Sequence, residues 1–324
     1  MRSIEVGLHL YISMNIAVIG TGGWGKNHVR VLNELNVLKA VCDLDYSRAE
    51  SLAAKYNVKA YSSLTDMLNN EQLDGVIIST PTSTHYSIAE KVLEKRIAIL
   101  LEKPFTKTIK EGEELIRRAK KNNTLLTAGY IERFNPVVKY AKSIIDNKSY
   151  GDVLLLEFHR ENRRPIRITD VGIILDTAVH DIDTALYLLN EMPNVVFARS
   201  GKKSGEYEEY SLLILGFKNK NAFIVSNWIT PKKMRNFDII CSEGIVSGNF
   251  ITQEIRIESD DNTIIPRIEY QEPLMLELQN FINAIENKAE PLIKAEEALK
   301  TLKIADAALL SSQHGSQIYI GEYQ

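Results

Sequence analysis

The first residues suited to chemistry are Gly20, Gly22, Trp24 and Gly25, in the run Gly20-Thr21-Gly22-Gly23-Trp24-Gly25. This run lies between an apolar stretch (15–20) and a helical one (24–35). Gly20 permits a tight turn, Gly22 lets the backbone approach a pyrophosphate, and Gly25 allows close contact between helix and strand. The helix start that follows would offer unpaired N–H groups and a favourable dipole to an anion. Asp43 ends the next apolar run, 18 residues after Gly25, about where a carboxylate bonds the adenosine ribose hydroxyls. It would repel a 2′-phosphate, so the expected cofactor is NAD rather than NADP. Asp43 also reads as an ordinary strand-end turn residue or helix cap.

Further along, Thr80, Pro81 and His85 follow the fourth apolar run, and Glu102-Lys103-Pro104 follows the fifth. Open parallel sheets bind ligands at this carboxyl edge, so all five residues up to Lys103 are candidate cofactor contacts. Ser83 or Thr84 would equally well cap a helix there. A proline next in sequence holds Lys103 away from helical geometry, and its ammonium could stabilise a developing alkoxide. Glu-Lys-Pro is also a common solvated turn.

Asp176 and His180 are spaced i,i+4, and Asp183 follows three residues later, which predicts one polar helical face. Their neighbours Ile173, Ile174, Leu175, Ala178, Val179 and Ile182 are apolar. His180 suits proton acceptance near neutral pH, while Asp176 would contact the substrate or hold His180. The plain alternative is a polar stripe on a packed helix. A metal site is not expected, because no second histidine has ligand spacing to His180. Arg160, Arg163, Arg164 and Arg167 fall within eight residues. They suit bidentate phosphate contacts and equally a solvated charged loop.

The elements that must position these groups change character along the chain. From residue 15, strand patterns at 15–20, 37–43, 59–61, 74–79, 97–101 and 124–128, most of them apolar, alternate with helical stretches. This rhythm predicts a doubly wound parallel sheet ending near Tyr130. Beyond a helix at 136–147, strand patterns at 152–162, 194–202, 209–217, 221–229, 236–242, 244–250, 253–258 and 263–270 are mostly separated by turn residues. They predict an α+β domain with a large, mostly antiparallel open sheet over 131–324. One helix, 174–190, interrupts it, and helices at 273–287 and 295–313 end the chain. The final helix is free to pack back on the first domain.

Composition agrees with such a protein. The chain has 324 residues, 44% hydrophobic and 25% charged, with net charge -3. That argues against disorder and against a general nucleic-acid binder. Cys42 and Cys241 lie far apart in apolar runs, so neither a disulfide framework nor a zinc site is expected. Residues 1–13 carry Glu5 and His9 and fit a signal peptide poorly. The expected location is cytoplasmic, without a membrane partner.

The glycine turn, Glu102-Lys103-Pro104 and the Asp176/His180 helix, in this order, resemble the Gfo/Idh/MocA oxidoreductases. The resemblance runs from Met14 to the end. It implies that Lys103, Asp176 and His180 form the catalytic set, and that a Rossmann domain precedes a sheet domain that often mediates homo-oligomers. Gly129-Tyr130-Ile131-Glu132-Arg133-Phe134-Asn135-Pro136 is similar to a signature of a subgroup acting on UDP-linked amino sugars, the UDP-N-acetylglucosamine 3-dehydrogenases. That likeness makes Arg133, Asn135, Arg163, Arg167, Asp176 and His180 candidate substrate contacts. The family's frequent triple glycine is replaced here by Asp170-Val171-Gly172. The resulting expectation is NAD-dependent oxidation of a secondary hydroxyl, at C3 of a UDP-N-acetyl amino sugar. Alternatives are a free-sugar or polyol dehydrogenase, a nucleotide-responsive binding protein without turnover, and an NAD-dependent glycosidase.

Overall fold

The computed structural model describes residues 14–163 and 170–322; Arg164 and Arg167 lie outside them. The first sheet comprises β1 (Ile16–Ile19), β2 (Leu38–Cys42), β3 (Lys59–Tyr61), β4 (Gly75–Ile78), β5 (Ala98–Glu102) and β6 (Leu126–Gly129). β1, β4, β5 and β6 are buried along their whole length, as continuous apolar runs require when helices cover both faces. All neighbours are parallel, in the order β3-β2-β1-β4-β5-β6. The order reverses between β1 and β4, which opens a crevice at their carboxyl ends.

The connecting helices are α1 (Gly25–Glu34), α2 (Tyr46–Tyr56), α3 (Leu64–Asn70), α4 (His85–Glu94) and α5 (Ile109–Asn122). Their starts follow local chemistry. Asp45 and Ser63 cap α2 and α3, and Thr108 with Glu111 forms a capping box on α5.

After α6 (Pro136–Asp146), the second sheet is built from β7 (Val153–Glu161), β8 (Val195–Gly201), β9 (Tyr210–Gly216), β10 (Asn221–Asn227), β11 (Met234–Cys241), β12 (Gly244–Asn249), β13 (Ile255–Glu258), β14 (Thr263–Ile264) and β15 (Ile318–Tyr319). Its order is β14-β13-β12-β11-β7-β10-β9-β8-β15. The antiparallel expectation holds except between β7 and β10, which run parallel. β14 is far shorter than the expected 263–270, and the edge strand β15 was not expected. Burial alternates along β9, β10 and β11, so one face packs on helices and the other is open.

The helix expected at 174–190 begins with a π-helical turn, Ile174–Ala178, in which Val179 N–H bonds the Ile174 carbonyl. α7 (Val179–Leu189) continues it. The last helices, α8 (Pro273–Ile285) and α9 (Ala295–His314), return to the first sheet. Leu274, Leu278, Phe281 and Ile282 of α8 share a core with Ile16, Val18 and Val41. Gly75 makes room for them: a Cβ there would lie 2.8 Å from Ile285 and 3.2 Å from Phe281. α9 packs against β6, α5, α7 and β8, tying the two sheets together. Among the described residues no helix is long and apolar enough to cross a membrane.

Candidate active site

The glycine turn sits at the switch point. Gly20 has φ +88°, and a Cβ there would lie 2.5 Å from the Ser79 carbonyl oxygen. A Cβ on Gly25 would lie 1.9 Å from the Gly20 oxygen. Both positions therefore require glycine for the fold. Gly22 differs, because nothing lies within 4 Å of its Cβ position. This open space, beside a helix with no side-chain cap and no acidic residue in its first turn, fits a pyrophosphate. Asp43 stands at the adjoining strand end, where its Oδ2 accepts from Thr21 N–H at 2.7 Å and Thr21 Oγ1 at 2.9 Å. Arg48 Nη1 lies 3.6 Å from the same oxygen.

Across the crevice, β5 delivers Glu102 and Lys103 in opposite directions. Glu102 turns inward. Its Oε1 accepts from Trp24 Nε1 at 2.6 Å and contacts His28 Nε2 at 2.7 Å, and its Oε2 accepts from Lys103 N–H at 3.1 Å. Burial pushes this carboxyl up, but His28, Lys103 and Trp24 outweigh it and hold the carboxyl below its usual range. Lys103 reaches outward to the π-helical turn, where Nζ donates to Asp176 Oδ1 and to the Asp176 carbonyl, each at 2.7 Å. Both side chains keep about one-sixth of their surface exposed, 17% and 16%. Asp176 Oδ2 accepts from Thr177 Oγ1 at 3.0 Å, and Thr177 in turn accepts from Trp228 Nε1 at 3.1 Å.

His180 lies just beyond, half-buried, with Nδ1 shut away from solvent and without a hydrogen-bond partner among the described residues. Burial drives its pKa well below the ordinary value, and the charges of Lys103, Arg160 and Arg235 push the same way. The ring is thus neutral at pH 7 and able to accept a proton. Asp176 bonds Lys103 rather than His180. A fixed cation, a neutral imidazole and a carboxylate that holds the cation can together orient a hydroxyl and remove its proton.

Two family models match this chain: an oxidoreductase family, NAD-binding Rossmann fold, over residues 14–130, and its C-terminal alpha/beta domain over 142–320. The chain belongs to the Gfo/Idh/MocA oxidoreductase family. It is an NAD-dependent enzyme of the dehydrogenase type. It is 27% identical over 285 residues to UDP-N-acetylglucosamine 3-dehydrogenase of Acidithiobacillus ferrooxidans, covering 85% of this chain and 89% of the relative. It is 28% identical to scyllo-inositol 2-dehydrogenase (NAD(+)) of Bacillus subtilis, covering 94% and 95%. A solved structure of the A. ferrooxidans UDP-N-acetylglucosamine 3-dehydrogenase superposes with TM-score 0.86 at 25% identity, covering 93% of this chain and 98% of that one.

Several residues expected at the site of this Gfo/Idh/MocA protein lie elsewhere. Arg133 is buried, its Nε and Nη2 donating to Asp183 at 2.8 and 2.7 Å and its Nη1 to Glu297 at 3.1 Å. Asn135 is buried too, donating to the Phe250 carbonyl at 3.0 Å and capping α6. Both side chains are engaged by interior partners. Asp183 goes with them and does not share the face of Asp176 and His180. His85 is buried, its ring nitrogens each 3.0 Å from the carbonyl oxygens of Thr80 and Pro104, so it joins two edge loops. Glu102 likewise holds Trp24 in place from below. Thr80 and Pro81 stay at the crevice rim, with Pro81 exposed. Arg160 is buried against Asp181 and Glu132, whereas Arg163 is exposed.

Other contributors were not singled out from the sequence. Glu208 Oε1 accepts from Ile174 N–H at 3.2 Å, and its carboxylate occupies the space a Cβ on Gly172 would take. Gly172 therefore remains where the triple glycine is lost. Thr177 and Trp228 support Asp176, and Arg235 enters from β11. Only strand register brings Trp228 and Arg235 here.

Proposed function

We propose that this enzyme oxidises a secondary hydroxyl of a nucleotide-linked amino sugar, at C3 of a UDP-N-acetylhexosamine. The carrying observation is the Lys103–Asp176 pair beside a neutral His180 at the crevice edge. Bound NAD supplies the hydride acceptor. His180 takes the hydroxyl proton, and Lys103 hydrogen-bonds the oxygen as charge develops on it. Asp176 keeps the ammonium aimed, and Thr177 and Trp228 keep Asp176 aimed. Gly22 and the start of α1 receive the pyrophosphate, and Asp43 receives the ribose hydroxyls. Arg163 and Arg167 hold the substrate diphosphate.

Similarity to a UDP-N-acetylglucosamine 3-dehydrogenase over most of the chain supports the sugar nucleotide. Comparable identity to an inositol dehydrogenase supports a second reading, a cyclic polyol as substrate. On the open face of the second sheet, Phe197, Ile214 and Phe223 stand in one cross-strand row beside Leu212 and Val225. This apolar row supports a homo-oligomer formed through that face.

Incubation with NAD and either UDP-N-acetylglucosamine, UDP-N-acetylgalactosamine, myo-inositol or scyllo-inositol, followed at the NADH absorbance, tests the reading. Turnover of a UDP sugar in preference to both inositols is expected; inositol turnover alone selects the polyol, and no NADH with any of them rejects both. In the same assay Asp43→Ala should narrow the preference for NAD over NADP. An unchanged ratio would remove Asp43 from cofactor choice.

A further inference from the structure

The second basic segment of the chain, Lys232-Lys233-Met234-Arg235, becomes significant only through strand register. β7 and β11 are antiparallel neighbours, with Glu161 opposite Met234 and Arg160 opposite Arg235. Arg160 and Arg235 share the face that carries Phe158 and Phe237, the face turned to the helices and to His180. Residues 162–163 and 232–233 leave the sheet at the same end. Two stretches distant in sequence thus form one cationic rim.

The charges on this rim do not balance. Arg160 makes three contacts with Asp181, at 2.8–3.1 Å, and one with Glu132 at 2.8 Å. Phe250 lies across its guanidinium at 4.9 Å. Among the described residues Arg235 is left with Glu132 alone, at 3.7 Å, beyond hydrogen-bond reach and on an oxygen already engaged by Arg160. Its side chain keeps 37% exposure. Lys233 is exposed and has no ion pair among the described residues. Counting Lys103, Arg160, Lys233 and Arg235 against Asp176, Asp181 and Glu132 leaves one positive charge unmatched. Burial, and then the charge of Arg160, hold Arg235 below the usual arginine range. Arg160, its cross-strand partner, grips Asp181, the residue next to His180, which puts Arg235 at the same end of α7 as the reaction centre.

We propose that Arg235, with Lys233, forms an anion subsite that takes a phosphoryl or carboxylate group of the substrate itself. A planar guanidinium whose donors make no hydrogen bond among the described residues and a flexible ammonium at the rim match either oxyanion. The neighbouring Arg160 is locked by its own carboxylates and does not compete for it. The proposal rests on the oxidoreductase reading above and adds the chemical class of the group beside the reacting hydroxyl.

The test is calorimetric titration of the NAD-loaded protein with UDP, inorganic pyrophosphate and D-glucuronate, with D-glucose as the neutral control. Wild-type protein should bind at least one of the anions, and Arg235→Gln should weaken that binding by on the order of ten- to a hundred-fold. Affinity for NAD should stay near wild type. Binding of UDP or pyrophosphate assigns phosphoryl groups to the subsite, and binding of D-glucuronate alone assigns a carboxylate. Arg235→Lys should recover part of the affinity, and Lys233→Gln, an exposed change that leaves folding untouched, should weaken binding by a few-fold. Raising salt should weaken the wild type more than Arg235→Gln. Failure of every anion to bind, or Arg235→Gln and Lys233→Gln both binding like wild type, overturns the subsite. Absence of NADH with every sugar would overturn the function instead, without altering the anion titration.

Discussion

Two sets of ion pairs lie within two turns of one helix and have opposite surroundings. Lys103–Asp176 stands at the crevice with both side chains partly open to solvent. Arg133–Asp183 and Arg160–Asp181 are enclosed, with side-chain exposure of 2% or less. In the enclosed pairs every charge is matched by close, mostly bidentate contacts. Burial works against the Arg133 charge, yet Asp183 and then Glu297 more than offset it and raise its pKa. At the crevice the matching is looser, with one cation aimed at a carboxylate and at a backbone carbonyl, and one imidazole nitrogen without a partner among the described residues. Complete satisfaction marks groups that fix the fold. At the crevice, the looser matching leaves Lys103 and His180 able to turn to a ligand.

That contrast breaks first at His180. His180→Asn should reduce turnover by about 10²–10⁴-fold while NAD affinity and melting temperature stay near wild type. A folded variant with near-normal turnover would remove His180 from the chemistry. The reverse pattern is expected at Arg133. Arg133→Met leaves Asp183 buried without its partner and should lower stability by about 3–5 kcal/mol, with the substrate KM of the remaining folded enzyme preserved. A raised KM at unchanged stability would return Arg133 to the substrate site and erase the distinction drawn here.

A smaller effect should sharpen it from a third position. Glu277 on α8 is buried with both carboxylate oxygens unpartnered among the described residues. Burial, then repulsion from Glu102 and Asp183, raises its pKa well above the usual value. The native state keeps this proton where the unfolded chain, with an ordinary pKa of about 4.3, has released it. Stability is therefore full below that unfolded value and declines as pH rises toward the native one. Glu277→Gln should raise the melting temperature by about 2–4 °C at pH 8 and change little at pH 4. Equal effects at both pH values would show that Glu277 is not carried as a neutral acid.

Much of the architecture was readable from periodicity. The strand runs of the first half are short and bounded by turn residues, and four of them are buried throughout, so β1–β6 and their helices fall close to their expected limits. The glycine turn was readable because Gly20 and Gly25 each have a separate steric reason and Gly22 leaves space for a ligand. Residue type alone could not separate Arg133 from Arg163, since burial depends on which helix closes over the side chain. Asp183 left the expected polar face because its partner is in another segment. The π-helical turn carries no periodic signal of its own over five residues. Arg235 was hidden because its place beside Arg160 is set by the pairing of β7 with β11.

The return of α8 to the first sheet has a consequence for biosynthesis. When a ribosome has released the first 130 residues, all six parallel strands are present, yet the apolar surface later covered by Leu274, Leu278 and Phe281 is still bare to water. Translation must continue through Ile285 before that surface closes. The nucleotide-binding half therefore completes its core only after β7–β14 of the other half have been synthesised, and an N-terminal fragment ending near Tyr130 would emerge as a sticky intermediate in need of a chaperone. Maturation of the cofactor site is coupled in this way to synthesis of nearly the whole polypeptide.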